Sequence, residues 1–371
     1  MVANFVEDRA RLVELAHQIQ TLEQALAALQ LEELAIKERL NAYKYPVLTL
    51  PSEIVAEIFL HVLPKYPICP PLAGPDSPVL LTHICRLWRE IACSTPQLWR
   101  AISLSSEEYK SLNPDCIWLS RAGCCPLSIR INETYQGSRR DLLATILPIR
   151  VRCEYLQLRL DFSCSALPTI EGEFPVLRHL DIELDDDPPE EVQFLDAPML
   201  RSVVLEGWAA SCVTRLPWTQ LTSLSLHAIS FEACVPALQQ ATNLLDCRLD
   251  ITENDTEDFP FHAPPIVLPC LKSLKADTNE SVDGFLPSLT LPALSSLTVC
   301  GELLGQDGVQ SLRSLIARSG SCNLEHLDIT CNPIAPLNEN SYRLAFPSVR
   351  KIEFSSYPDP QLVHLLPDWD T

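Results

Sequence analysis

Three histidines, His179, His227 and His326, each stand beside a short apolar frame of similar spelling, so they are the first place to look for acid–base work or a shared ligand. The eight histidines are otherwise spread along the chain, and a repeating sequence places such residues in parallel by coincidence, so they read as surface histidines. The 15 cysteines include no CxxC and no cysteine–histidine box. That fits small buried core residues in the reduced state better than metal ligands. No GxxxxGK[ST], GxSxG or HExxH occurs, and the 10 glycines form no loop that could cradle phosphate. The chain therefore reads as a non-enzyme with no cofactor and no metal.

What remains that could do chemistry is charge. The net charge is −20, and from Arg150 onward 14 Lys and Arg face 32 Asp and Glu. A surface that acidic repels phosphate backbones and anionic lipid, so nucleic acid and membrane are poor partners, while a basic protein segment would be steered toward it. The most apolar windows, such as Ile54–Leu63, are too short to span a bilayer. The charged start "MVANFVEDRARLVE" lacks the apolar core of a secretion signal. A cytoplasmic or nuclear location follows as an expectation, with the sequons at Asn132, Asn254 and Asn279 bare.

The elements that must position these residues fall into 1–45, 46–104, a connecting segment 105–150 and 151–371. In the first, Phe5, Leu12, Leu15, Ile19, Leu22, Leu26, Leu29, Ile36 and Leu40 follow alternating steps of three and four, interrupted only at Asp8 and Glu33. This is a heptad seam of about five repeats, and no proline or glycine breaks it. It suits a coiled coil, hence a dimer through residues 5–40. It equally suits a single amphipathic helix folded back on its own protein, and the sequence leaves both open.

The next stretch, "YPVLTLPSEIVAEIFLHVLP", is more apolar than one amphipathic face requires. Pro51 suits the first helical position, Glu53 puts negative charge in the first turn, and Pro64 stops the helix. "KYPICPPLAGPDSP" reads as a loop. A second helical pattern follows with Leu80, Ile84, Leu87, Trp88 and Ile91, then Pro96 and the pair Leu98–Trp99. About 55 residues cannot bury all of this within themselves. The surplus needs a partner, in this chain or in another.

"LPSEIVAEIF", "CRLWREIA" and "PQLWRAI", in that order between Leu50 and Leu104, resemble the F-box motif, and their flanks resemble the F-box proteins expanded in mushroom-forming fungi. The resemblance implies docking on the adaptor Skp1 and, through it, on a cullin-based ubiquitin ligase. It implies Leu50, Pro51, Ile54 and Ile58 in the docking surface, with Cys85, Trp88 and Trp99 building or completing it. The loop Lys65–Ser77 is longer than the compact motif usually has. The alternative is a structural or scaffolding protein whose small helices only cap the domain that follows.

That domain repeats itself. In an L-x-x-L-x-L frame the units start at Leu177, Leu200, Leu221, Leu244, Leu271, Leu294, Leu324 and Val349, with an earlier one at Cys153 and Cys125–Ile131 as a first strand. The pattern resembles leucine-rich repeats, which implies one short strand per repeat stacked in parallel into a horseshoe. The fold class expected is therefore α/β: a long N-terminal helix, a small helical F-box domain and a parallel-stranded leucine-rich-repeat solenoid. The Asn expected after each frame occurs only at Asn279 and Asn332, with Asp185 a partial substitute. Within each frame the leucines point inward, and alternate residues line the concave face. These include Asp181, Glu183, Glu206, Asp250, Lys275, Asp277, Asp328 and Glu353, a candidate cradle for a basic segment of a protein substrate.

Overall fold

The computed structural model describes residues 2–42, 46–105, 114–133, 148–160, 172–184, 192–193, 196–252, 264–278, 282, 284–320, 322–331 and 339–356. The chain is α/β and divides into two compact units, Met1–Ile58 and Phe59–Thr371.

The first unit is dominated by α1 (Val2–Ala42), a single uninterrupted helix of 41 residues. Nothing in it breaks the backbone ladder, and a Glu33–Lys37 ion pair at 2.6 Å spans one turn of its exposed surface. A 3₁₀ turn, Pro46–Thr49, leads to α2 (Ser52–Val62). Pro51 stands one residue ahead of the helix rather than at its first position. Its carbonyl accepts from the Ile54 and Val55 N–H groups, both at 3.1 Å, and so starts the helical ladder.

In the second unit the continuous helical pattern expected after the proline-rich loop is broken in two. α3 (Pro78–Ile84) and α4 (Arg86–Cys93) meet at Cys85, whose backbone is extended. Each helix has its own N-terminal cap: the Ser77 hydroxyl accepts from Val79 N–H at 3.2 Å, and at the break the Cys85 thiol accepts from Trp88 N–H at 3.4 Å. A 3₁₀ turn (Pro96–Trp99) then delivers the chain into the sheet.

The sheet has 11 strands, all parallel and all in sequence order. They are β1 (Ala101–Ser105), β2 (Leu127–Glu133), β3 (Cys153–Leu160), β4 (His179–Leu184), β5 (Ser202–Gly207), β6 (Ser223–Ser230), β7 (Asp246–Thr252), β8 (Ser273–Thr278), β9 (Ser296–Cys300), β10 (His326–Cys331) and β11 (Lys351–Ser356). The sheet thus begins one strand earlier than Cys125–Ile131, because "AISLS" after Trp99 already alternates. Helix α5 (Pro114–Arg121) separates the first two strands; α6 (Phe231–Gln240) and α7 (Gly308–Arg318) are the longest later connections.

The leucine frame explains the register. Leu180, Val203, Leu224, Cys247, Leu274, Leu297 and Leu327 are successive lateral partners on one face, and all are buried. A slip by one residue in any strand would turn its leucines to the other face, so the pattern fixes the pairing. The hydrogen bonding repeats with it. Arg178 N–H donates to the Glu154 carbonyl, Arg201 to Arg178, Thr222 to Arg201, Leu245 to Thr222, Lys272 to Leu245 and Ser295 to Lys272, all at 2.8–3.0 Å. Asp185, Asn279 and Asn332 lie outside the described residues. At one strand end the backbone itself makes the tight turn: Gly207 adopts φ +63°, and a Cβ there would sit 2.5 Å from the Leu184 carbonyl oxygen.

Candidate functional site

Helix α2 is apolar on two faces, and only one is covered. Val55 and Phe59 are each 1% exposed, whereas Leu50, Ile54 and Ile58 are 39%, 50% and 42% exposed. Positions 54 and 58, and 55 and 59, are one helical turn apart, so each pair shares a face. Pro51 is exposed as well.

In the second unit Trp88 is half-buried, its ring edge-on to Phe59 at 5.0 Å, and its Nε1 is buried with no hydrogen-bond partner. Cys85 supports it as the cap of α4. Trp99 is wholly buried: its Nε1 donates to the Ala92 carbonyl at 2.8 Å, and Trp118 packs edge-on at 5.0 Å. Of the predicted residues it is the one that builds the segment from inside. Leu80, Ile84 and Leu87, read from sequence only as helix periodicity, are exposed on α3 and α4. The same spacing rule had marked them as apolar, but apolar spacing alone does not say which face is covered.

The long proline-rich loop packs on the edge of the sheet. Tyr66 Oη donates to Glu154 at 2.9 Å, and the Arg100 guanidinium lies 3.8 Å over the Tyr66 ring. The Ser128 hydroxyl donates to the Pro67 carbonyl at 2.6 Å, and the Cys69 thiol reaches the Ile102 carbonyl at 3.3 Å.

The sheet face opposite the leucine ladder carries the acidic residues. The structure puts them in two register rows. Asp181, Lys275, Asp328 and Glu353 lie in one, together with Arg130, Gln157 and Arg248. Two residues further along the strands, Glu183 and Glu206 follow Arg159, and Asp250 is the lateral partner of Asp277. The cations Arg130, Arg159 and Arg248 were legible by the same alternate-residue rule that picked out the acids. They divide the face into bands instead of leaving it uniformly acidic.

Several acids are already engaged. Asp181 is 4% exposed; its Oδ2 accepts from Gln157 Nε2 at 2.7 Å, and Arg130 Nε donates to the same glutamine. Its Oδ1 is buried with no partner, and burial pushes the carboxyl up to about 6. Glu183 is paired with Arg159, which also stands 4.0 Å from Glu206. Asp328 accepts from the Ser355 hydroxyl at 2.8 Å, and Glu353 pairs with Lys351 at 2.8 Å. Asp250 and Asp277 are half-buried side by side; burial first, and then the Asp277 charge, raise the Asp250 carboxyl.

The histidines are not all on the surface. His326 is exposed and His227 half-buried, but His179 is buried against Tyr155, with Nδ1 3.0 Å from the Ser202 hydroxyl. Burial drives its imidazole down to about 4. Five strands separate His179 from His326, roughly 29 Å at the usual strand spacing, so they share no ligand. Among the described residues no cluster of His, Cys, Asp and Glu could hold a metal, and no helix is long and apolar enough to cross a membrane. The cysteines whose side chains are described are free, and burial pushes the Cys153 and Cys234 thiols up to about 12. Compared with known proteins, the chain matches no family model and no curated protein sequence.

Proposed function

We propose that the chain is a non-catalytic substrate-recognition adaptor of a Skp1–cullin–F-box ubiquitin ligase. In this reading the segment 46–104 is an F-box that docks Skp1 through Leu50, Pro51, Ile54 and Ile58, and Cys85, Trp88 and Trp99 hold its helices in place. The parallel sheet is read as a leucine-rich-repeat solenoid whose polar face takes a protein substrate. The half-buried pair Asp250 and Asp277 suits a basic side chain, since two adjacent carboxylates are relieved by a cation.

The observation that carries the reading is the uncovered face of α2. Three large aliphatic side chains, each more than a third exposed, stand on the motif positions that the F-box resemblance assigns to Skp1. Covering them is worth on the order of 3 kcal/mol.

One observation favours the rival reading, in which the helices only cap the sheet: the proline-rich loop and Trp99 are packed into the second unit by the contacts described above. Co-purification separates the two. Tagged chain should retain Skp1, and Ile54→Glu with Ile58→Glu should lower that retention at least about 100-fold, near 3 kcal/mol. Failure of the native chain to retain Skp1 would leave the capping role.

A further inference from the structure

We propose that residues 5–40 pair with the same helix of a second copy of this chain. The nine apolar seam residues of α1 are all exposed, from 38% at Leu15 to 69% at Leu22. At 1.5 Å per residue the seam runs over about 50 Å. A stripe of that length and 3.5-residue period is covered by a helix of equal length and period. Among the described residues the next longest helices have 11 residues. A second α1 has both the length and the period.

The charge beside the central seam is light: Ala16, Gln18, Ala25 and Gln30 are uncharged, and the one carboxylate, Glu23, meets the uncharged Gln18 of the second copy in a parallel pair and Ala16 of the second copy in an antiparallel one. In a parallel pair Glu32 faces Lys37 of the second copy; in an antiparallel pair it faces Arg11 of the second copy. In register the acidic interruptions meet one another, Asp8 with Asp8 and Glu33 with Glu33 in a parallel pair and Asp8 with Glu33 in an antiparallel one. The seam is therefore weakened near both ends, and association rests on the six apolar residues from Leu12 to Leu29 between them. Pairing would give one assembly two copies of the polar sheet face, and so avidity toward a substrate with repeated sites. The avidity rests on the substrate-binding reading above; the pairing itself does not.

Sedimentation velocity on the full chain across a concentration series tests it. The expected particle has twice the 41.5 kDa of one chain. Leu22→Glu with Leu29→Glu should weaken association at least about 100-fold, while Gln24→Lys, off the seam, should leave it unchanged. Glu33→Leu, which repairs the seam, should tighten it about tenfold. A native chain that stays at 41.5 kDa throughout, or forms a trimer, overturns the proposal. So does a seam variant that weakens association no more than Gln24→Lys, or a Glu33→Leu that fails to tighten it.

Discussion

Leucine at a fixed period occurs twice in this chain, and the two runs meet opposite fates. In the sheet each frame leucine is covered by the leucine of the next strand, and Leu180, Leu205 and Leu224 are all 0% exposed. In α1 the seam leucines stand in the open. The difference lies in where each pattern finds its complement. A period-two frame repeated every 20–30 residues brings its own neighbour along the chain, about 4.8 Å away. A heptad seam needs a second helix of equal length, and α1 has no sequence repeat downstream to supply one. Periodicity therefore predicts an interface in both places, internal in one and external in the other.

The largest expected effect tests that contrast head-on. Leu205→Ala removes a wholly buried rung and should cost about 2–5 kcal/mol in urea unfolding. Leu26→Ala on α1 removes the same side chain from an exposed position and should shift the midpoint only by an amount that varies with the logarithm of protein concentration, as loss of an association does. A concentration-independent loss at Leu26 as large as that at Leu205 would erase the distinction.

The next effect sharpens the comparison on the polar side of the same sheet. Asp181 titrates near 6 when folded against 3.8 unfolded, so the folded state holds the proton more tightly. Its contribution is fully present below pH 3.8 and is lost as pH rises through 6. His179 runs the other way: at about 4 folded against 6.5 unfolded, it favours the folded state above pH 6.5 and withdraws that support as pH falls through 4. The two slopes oppose one another between about pH 4 and 6. Asp181→Asn should stabilise the chain by up to about 3 kcal/mol at pH 7, with the gain gone by pH 4. It should also steepen the acid-side loss, since His179 then acts unopposed. A pH series of unfolding midpoints that shows a constant offset between variant and native chain would contradict the burial-driven shift at Asp181.

How much of this was legible beforehand follows from which physical rule each feature obeys. The leucine register was legible because a one-residue slip is so costly that the frame leaves no alternative. The helix break at Cys85 was not, since Leu80, Ile84, Leu87 and Ile91 keep helical spacing across it and the thiol cap leaves no mark in apolar periodicity. β1 was hidden by its place inside the F-box resemblance, although Ile102 and Leu104 are buried like the later rungs. On the polar face the alternation rule placed Asp181 opposite the leucines but said nothing of cover, and His179, read as a surface histidine, is buried, so the burial of both came as a structural finding. On α2 the excess of apolar residues was readable, and the division into a covered face at Val55 and Phe59 and an open one at Ile54 and Ile58 needed coordinates.

That division sets the smallest effect. Ile54→Ser with Ile58→Ser changes two exposed aliphatic side chains on an exposed helical face, so unfolding of the isolated chain should move by no more than about 0.5 kcal/mol per site. Val55→Ser, on the covered face one residue away, removes a side chain that is 1% exposed and should cost several times as much. If the two faces of α2 answered alike, the exposed one would be structural, and its aliphatic residues would be holding this chain together instead of waiting for another. A near-silent pair at 54 and 58 beside a costly change at 55 puts the selective reason for those isoleucines outside the isolated fold.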